Sequence, residues 1–100
     1  MKKIGPLSTD LVVACAIHDL KKSKKEGWVS DISQMLRKVM TPQELKENLD
    51  ELIYLGIIWT EHRTLDSGRA GRVYFITKEA RKMIKETHDL FWDKVVICLE

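Results

Sequence analysis

The sequence predicts one α+β domain, mostly helical, that spans residues 1–100. Apolar residues recur at helical spacing in four segments, and two β-rich segments flank a glycine-containing loop. Hydrophobic residues make up 44% of the chain and charged residues 32%, which suits one core but leaves no room for a separate catalytic lobe. Because the net charge is only +2, any affinity for nucleic acid must depend on where the charges lie.

The first predicted helix covers residues 8–22. Ser8, Thr9 and Asp10 supply its N-cap and first turn, and polar residues beyond the apolar run 11–17 favour a helix over a buried strand. A helix that is apolar all round needs cover on two sides, so we expect the core on one side and a partner on the other. The run is too short to cross a bilayer and no signal sequence is recognisable, so we expect a cytoplasmic protein without a membrane partner.

The second predicted helix covers residues 30–40, with Ser30 as its N-cap and a short strand at Trp28 and Val29 before it. Its buried stripe is formed by apolar residues three and four positions apart, namely Ile32, Met35, Leu36, Val39 and Met40. The next helix follows at once. The sequence therefore predicts a tight helix-turn-helix.

The third predicted helix covers residues 41–55 and has the clearest start signal in the chain. Thr41 and Glu44 have the spacing of a capping box, and Pro42 occupies the first helical position. Gly56 fits the left-handed position that ends a helix. The predicted buried face consists of four aliphatic residues, Leu45, Leu49, Leu52 and Ile53.

A β-hairpin is predicted within residues 57–77, because β-branched and aromatic residues over 57–63 and 72–77 enclose a loop that contains Gly68. Thr77 would cap a last helix over 78–99, whose apolar stripe is longer and wider than a small core requires. The order helix, helix, hairpin, long helix is that of a winged helix-turn-helix, here with a two- to three-stranded wing.

This arrangement predicts binding to double-stranded DNA. The third helix would enter the major groove through Thr41, Gln43, Lys46 and Glu47. We expect the wing to contact the adjacent DNA backbone or the minor groove and the neighbouring turn to lie near phosphates, with three wing guanidinium groups on the same side as Gln43. The residues concerned are Arg37, Lys38, Arg63, Arg69 and Arg72.

The acidic face of the third helix supports a rival function. It carries Glu44, Glu47, Asp50 and Glu51 against the single Lys46, and carboxylates repel a phosphate backbone. Such a face would suit a basic protein surface. The alternative is therefore a winged helix that serves as a protein–protein interaction module in a larger assembly.

No catalytic residue, cofactor or metal site is predicted. Phosphate-binding loops and nucleophile motifs are absent from the sequence, and Cys15 with His18 offers only two of the four ligands that a structural zinc site needs. We expect Cys15 and Cys98 to be buried thiols, which argues against redox sensing. Trp28, Trp59 and Tyr74 are expected to pack the core or wing, and Trp92 to cover a partner helix.

The segment from about residue 28 to 84 resembles winged-helix transcriptional regulators of the PadR and MarR type. The resemblance rests on Gly56-Ile57-Ile58, on the arginine-bearing loop and on Tyr74-Phe75-Ile76-Thr77-Lys78-Glu79-Ala80-Arg81. Asp66 with Arg69 is similar to the MarR wing tip, whereas the run from Gly68 to Tyr74 is more similar to PadR. MarR-type wings often carry an arginine where this chain has Thr60.

The resemblance implies a dimeric, sequence-specific transcriptional regulator that binds pseudo-palindromic duplex DNA. The homodimer would form through the first and last helices, whose apolar stripes already predict a partner. The expected interface residues are Val12, Ala16, Ile84, Phe91, Val95 and Cys98.

Overall fold

The computed structural model describes residues 2–100 and confirms a mostly helical winged helix-turn-helix. Four helices accompany two small antiparallel sheets. The elements in chain order are β1 (Lys3–Ile4), β2 (Leu7–Ser8), α1 (Thr9–Lys22), α2 (Val29–Leu36), α3 (Pro42–Tyr54), β3 (Ile58–Thr64), β4 (Ala70–Ile76), a 3-10 turn (Lys78–Ala80) and α4 (Arg81–Leu99). None of the helices over residues 2–100 is both long and apolar enough to cross a membrane.

The chain begins with a two-stranded ribbon that the sequence did not predict. β1 pairs with β2 through Lys3 with Ser8 and Ile4 with Leu7. Each strand has only two residues, too few to show the alternating pattern on which strand prediction depends. Ile4 and Leu7 are buried, so the ribbon covers part of the core.

α1 lies at the centre of the molecule and is covered by its own chain. Residues 12–17 are all buried, and α1 contacts the ribbon, α2, α3, β4 and α4. The expectation that its second side needs a partner is therefore wrong. An all-round apolar helix requires cover, but periodicity does not show which elements provide it.

α2 is shorter than predicted. It begins at Val29 after Trp28, which occupies the N-cap position without a side-chain cap, so Ser30 is not the cap. The helix ends at Leu36, and the amides of Val39 and Met40 both donate to the Leu36 carbonyl in the turn that follows. Met40 is still buried, which explains why its apolar character extended the predicted helix.

α3 has the predicted capping box and terminator. The Glu44 amide donates to Thr41 Oγ1 at 3.1 Å, and the Thr41 amide donates to Glu44 Oε1 at 3.2 Å. Gly56 ends the helix with φ of +75°, as expected for glycine in the left-handed region. Leu45, Leu49 and Leu52 are buried, whereas Ile53 is exposed, so its predicted place on the buried face is wrong.

The wing is a hairpin whose register runs from Ile58 opposite Ile76 to Thr64 opposite Ala70. Trp28 adds a single antiparallel bridge to Val73, so the wing is two strands plus one bridging residue. Gly27 permits this approach, because a Cβ there would lie 2.5 Å from the Tyr74 carbonyl oxygen.

The last helix follows the hairpin through a 3-10 turn. Thr77 precedes that turn but makes no side-chain cap. Its hydroxyl donates instead to the Gly56 carbonyl at 2.8 Å, and its amide donates to the Ile57 carbonyl at 2.9 Å. The predicted cap is therefore wrong, and Thr77 ties the end of the wing to the end of α3.

Candidate nucleic-acid interface

The exposed side of α3 carries the predicted groove residues. Gln43, Lys46 and Glu47 are exposed, and Gln43 Nε2 donates to Glu47 Oε1 at 3.2 Å. The Thr41 hydroxyl is occupied by the capping box, so it is held by its own helix. Within residues 2–100, no carboxylate lies within 4.0 Å of the Lys46 ammonium, which leaves that cation free for a phosphate or base edge.

Lys2, the residue before β1, supplies a cation to the acidic face of α3. Lys2 Nζ lies 2.7 Å from Glu44 Oε2, and the hydrogen bond from Lys2 lowers the pKa of Glu44. Because both side chains are accessible to solvent, the pair adds little stability, but it neutralises one of the four acids. The partners are 42 positions apart, so sequence reasoning had no local signal for them.

A cleft of about 490 Å³ separates α3 from the wing. Lys46 and Arg72 line it, together with Asp50 and Tyr74. Arg72 is exposed and has no carboxylate within 4.0 Å among residues 2–100. The structure thus brings one predicted helix cation and one predicted wing cation to the same opening.

Arg63 lies on the other face of the hairpin. His62, not Arg63, is opposite Arg72 in the register, and alternate residues of a strand point to opposite faces. The Arg63 guanidinium pairs with Glu26 and Glu61, which raise its pKa through hydrogen bonds, Glu26 the more. The expectation that three guanidinium groups share the Gln43 side is therefore wrong.

Arg69 is folded back onto the start of α2. Its guanidinium carbon lies 4.3 Å from the centroid of the Trp28 ring, and Nη2 donates to Ser30 Oγ at 2.9 Å and to Asp31 Oδ2 at 3.3 Å. Asp66, which with Arg69 is similar to a MarR wing tip, makes no ion pair in the described part of the chain. Arg37 and Lys38 are exposed in the turn between α2 and α3.

The expected dimer residues fall into two groups. Val12, Ala16, Ile84 and Val95 are buried within the single chain and cannot contact a partner, so that part of the prediction is wrong. Phe91 is half-buried and Cys98 is exposed.

The apolar residues that α4 does expose are different ones. Met83, Leu90 and Ile97 have exposed fractions of 45%, 66% and 71%. Trp92, which was expected to cover a partner helix, is instead buried in its own chain and stacks on His88 with ring centroids 5.3 Å apart. Helical periodicity located the apolar positions of α4 but not the face that its own core covers.

The two cysteines differ in environment. Cys15 is buried, and burial raises the pKa of its thiol to about 12, so the thiolate that redox chemistry needs is suppressed. Cys98 is exposed, contrary to the prediction that both thiols are buried. No group of three or more metal-ligating side chains occurs in residues 2–100.

A histidine pair joins α1 to α4. His88 is buried, and its Nε2 lies 3.0 Å from Asp19 Oδ1, the carboxylate oxygen that accepts in this hydrogen bond. The rings of His18 and His88 meet edge to face with centroids 4.9 Å apart. Burial lowers the pKa of His18, and the nearby His88 and Lys22 lower it further.

Comparison with solved structures identifies the fold. The chain is similar to a PadR-like transcriptional regulator from Bacillus cereus (15% identity, TM-score 0.63, 83% of this chain and 82% of that one). It is also similar to smu.1704 from Streptococcus mutans (20%, 0.65, 93% and 85%) and to a PadR family transcription regulator from Clostridium difficile (13%, 0.62, 84% and 86%). No protein-family model matches the sequence, and no curated protein is similar to it. At these identities the likeness establishes the winged-helix fold that this chain shares with PadR-type structures.

Proposed function

We propose that the protein binds double-stranded DNA in a sequence-specific manner as a dimeric transcriptional regulator. The observation that carries the proposal is a pair of cations at the two sides of one cleft, Lys46 on α3 and Arg72 on the wing, neither of which has a carboxylate partner among residues 2–100. A major groove flanked by phosphates requires positive groups on both a reading helix and its neighbour. Two of the similar structures are described as PadR-type transcriptional regulators, which supports the same function.

The proposed division of labour follows the environments of the side chains. Gln43, Lys46 and Glu47 would face base edges, because they are exposed near the start of α3. Arg72 would contact a phosphate, as would Arg37 and Lys38 beside the turn. These contacts position the protein, whereas the α3 contacts select the sequence.

Arg69 would join the DNA contact by exchanging partners. Its bond to Asp31 lies at the surface, where an ion pair contributes little. A DNA phosphate offers a stronger, charge-assisted partner. Arg63, paired with two carboxylates on the opposite face, would not touch DNA.

Salt dependence and matched arginine variants test the DNA proposal. The logarithm of duplex affinity should fall with the logarithm of salt concentration by about 0.9 per phosphate contacted. Arg72→Ala should weaken binding to all duplexes and reduce this slope by about 1, because it removes one phosphate contact. Arg63→Ala is the matched control, since it removes the same group from the other face and should leave affinity unchanged. Gln43→Ala should change the preference between sites.

Failure to bind any duplex at roughly 50 mM salt would reject this function. The second candidate, a protein–protein interaction module, would then be favoured by the carboxylates that remain on α3, because Glu47, Asp50 and Glu51 make no ion pair among residues 2–100. An equal loss of affinity in Arg63→Ala and Arg72→Ala would contradict the proposed orientation of the wing.

The proposed dimer contact is the exposed stripe of α4. Met83, Leu90 and Ile97 are seven residues apart, the spacing at which helices form a continuous seam. α4 has 19 residues and is therefore about 28 Å long, so the stripe extends along most of the helix. A two-fold dimer through this stripe would present two reading helices to a pseudo-palindromic site.

A further inference from the structure

A second concave surface lies on the other side of Tyr74, which also lines the α3 cleft. Two adjoining clefts of about 250 and 340 Å³ share Lys21, Ile76 and Arg81. We name the combined surface the basic groove; it is formed by the end of α1, the base of the hairpin and the start of α4. It includes Trp59 and Phe75, which alternate to the hairpin face opposite that of Thr60 and Arg72.

The floor of the basic groove is apolar and aromatic. Trp59 stacks on Phe75 with ring centroids 4.3 Å apart, and Ile17 and Ile76 continue the floor. Trp59 keeps 46% of its surface exposed, whereas Trp28 and Trp92 are buried. A half-exposed indole in a concave apolar setting has the character of an interface anchor.

The rim of the basic groove is cationic and unneutralised. Among residues 2–100, none of its principal cations has a carboxylate within 4.0 Å; these are Lys21, Lys22, Lys25 and Arg81. The acids at or near the groove have other partners, because Glu26, which lines the smaller cleft, pairs with Arg63, and Asp89 pairs with Lys85. The groove therefore combines an apolar floor with a surplus of positive charge.

We propose that the basic groove binds an acidic peptide segment of a partner protein, with an apolar side chain on the Trp59–Phe75 stack and carboxylates on the rim. Duplex DNA presents charge on a convex surface and has no side chain to fill the two clefts. A single small anion could not occupy both clefts, which lie side by side around Lys21 and Arg81. Because Trp59 and Phe75 lie on the hairpin face opposite Arg72, the apolar side chain of the peptide would lie away from the proposed phosphate contact of Arg72, while Tyr74 lines both clefts.

Binding of a designed peptide tests this proposal. The probe is a short labelled peptide of aspartate and glutamate that contains two phenylalanines and no tryptophan. It should bind the 100-residue chain and change the fluorescence of Trp59, while Trp59→Phe should bind with that change removed. Replacing the phenylalanines by serine, or the acids by their amides, should weaken binding, since floor and rim contribute separately.

Charge-reversal variants locate the site. Lys21→Glu and Arg81→Glu should each weaken peptide binding about tenfold, as expected for loss of one charge-assisted contact. Lys3→Glu is the matched control, because Lys3 is an exposed lysine of β1 outside the groove, and it should bind as the wild type does. Circular dichroism verifies that each variant is folded.

Three outcomes would overturn the proposal. The first is that the acidic peptide does not bind at millimolar concentration. The second is that Lys3→Glu weakens peptide binding as much as the groove variants do. The third is that Lys21→Glu or Arg81→Glu loses as much duplex affinity as peptide affinity. The last outcome would assign the groove to DNA. The peptide measurement contains no DNA, so its result is independent of whether the proposed DNA function holds.

Discussion

Arg63, Arg69 and Arg72 belong to one hairpin but have three different sets of neighbours. Arg63 pairs with Glu26 and Glu61, and Arg69 stacks on Trp28, whereas Arg72 has no carboxylate partner among residues 2–100. The sequence identifies all three as arginines beside a glycine-rich loop. It does not identify the face of the hairpin on which each lies, because that depends on a register set by residues on both strands.

Local signals at single residues were predicted correctly. Thr41 with Glu44 and the left-handed Gly56 were both expected, since each depends on a few adjacent residues. The pairs Lys2–Glu44 and Glu26–Arg63 were not expected, because they join residues 42 and 37 positions apart. Contacts at such separation follow from the finished fold.

The first prediction concerns the cap of α3. Thr41→Ala should lower the free energy of unfolding by about 1 kcal/mol, because it leaves the Glu44 amide without its acceptor. The melting temperature should fall by roughly 4–8 °C for each kcal/mol in a domain of this size. Thr41→Ser keeps the hydroxyl and should melt close to the wild type. Equal melting of Thr41→Ala and wild type would show that the cap does not stabilise the domain.

At the level of elements, the sequence predicts the helices better than their ends. The order of the helices and the hairpin is as expected, but α2 ends at Leu36 instead of residue 40. Met40 is buried although it lies beyond the end of α2, so an apolar residue at helical spacing need not belong to the helix. The N-terminal ribbon was missed altogether, because two strands of two residues carry no periodic signal.

The second prediction concerns pH and the packing of α1 on α4. The pKa of His18 is lowered from 6.5 by burial first, and then by His88 and Lys22, against the opposing effect of Asp89 and Asp19. The folded state therefore favours the neutral imidazole. The contribution of His18 to stability is complete above its unfolded pKa of 6.5 and is lost as pH falls through the lower folded pKa.

Urea unfolding as a function of pH measures this effect. Between neutral pH and about pH 5, above the normal range of carboxylates, the unfolding midpoint of the wild type should fall more steeply than that of His18→Leu. His62→Leu is the matched control, because His62 is exposed on β3, and it should keep the wild-type profile. If His18→Leu and His62→Leu give the same profile, His18 does not contribute to the pH dependence.

At the level of the whole molecule, the fold class was predicted and the surfaces were only partly predicted. Of the predicted DNA-binding residues on α3 and the wing, Lys46 and Arg72 line the same cleft and the others do not. Four of the six expected interface residues lie inside the core: Val12, Ala16, Ile84 and Val95. An apolar stripe indicates that a face will be covered, yet a single sequence does not distinguish cover by its own core from cover by a second copy.

The third prediction concerns the α4 stripe. Leu90→Glu should convert a dimer to a monomer, because it would place a carboxylate at the centre of an apolar contact. Light scattering should then report the mass of one chain instead of two. Lys82→Glu also adds a glutamate to an exposed position of α4, but outside the stripe, and should remain dimeric. A monomeric wild type, or a Leu90→Glu variant that stays dimeric, would contradict the proposed contact.

The N-terminal segment lies against two helices that have different proposed roles. Lys2 bonds to Glu44 at the start of α3, while Gly5 lies so close to α4 that a Cβ there would be 3.4 Å from the Lys94 carbonyl oxygen. One short segment thus connects the helix proposed to read a sequence with the helix proposed to join two chains. A change in the position of this segment would therefore affect both helices, and with them both proposed contacts.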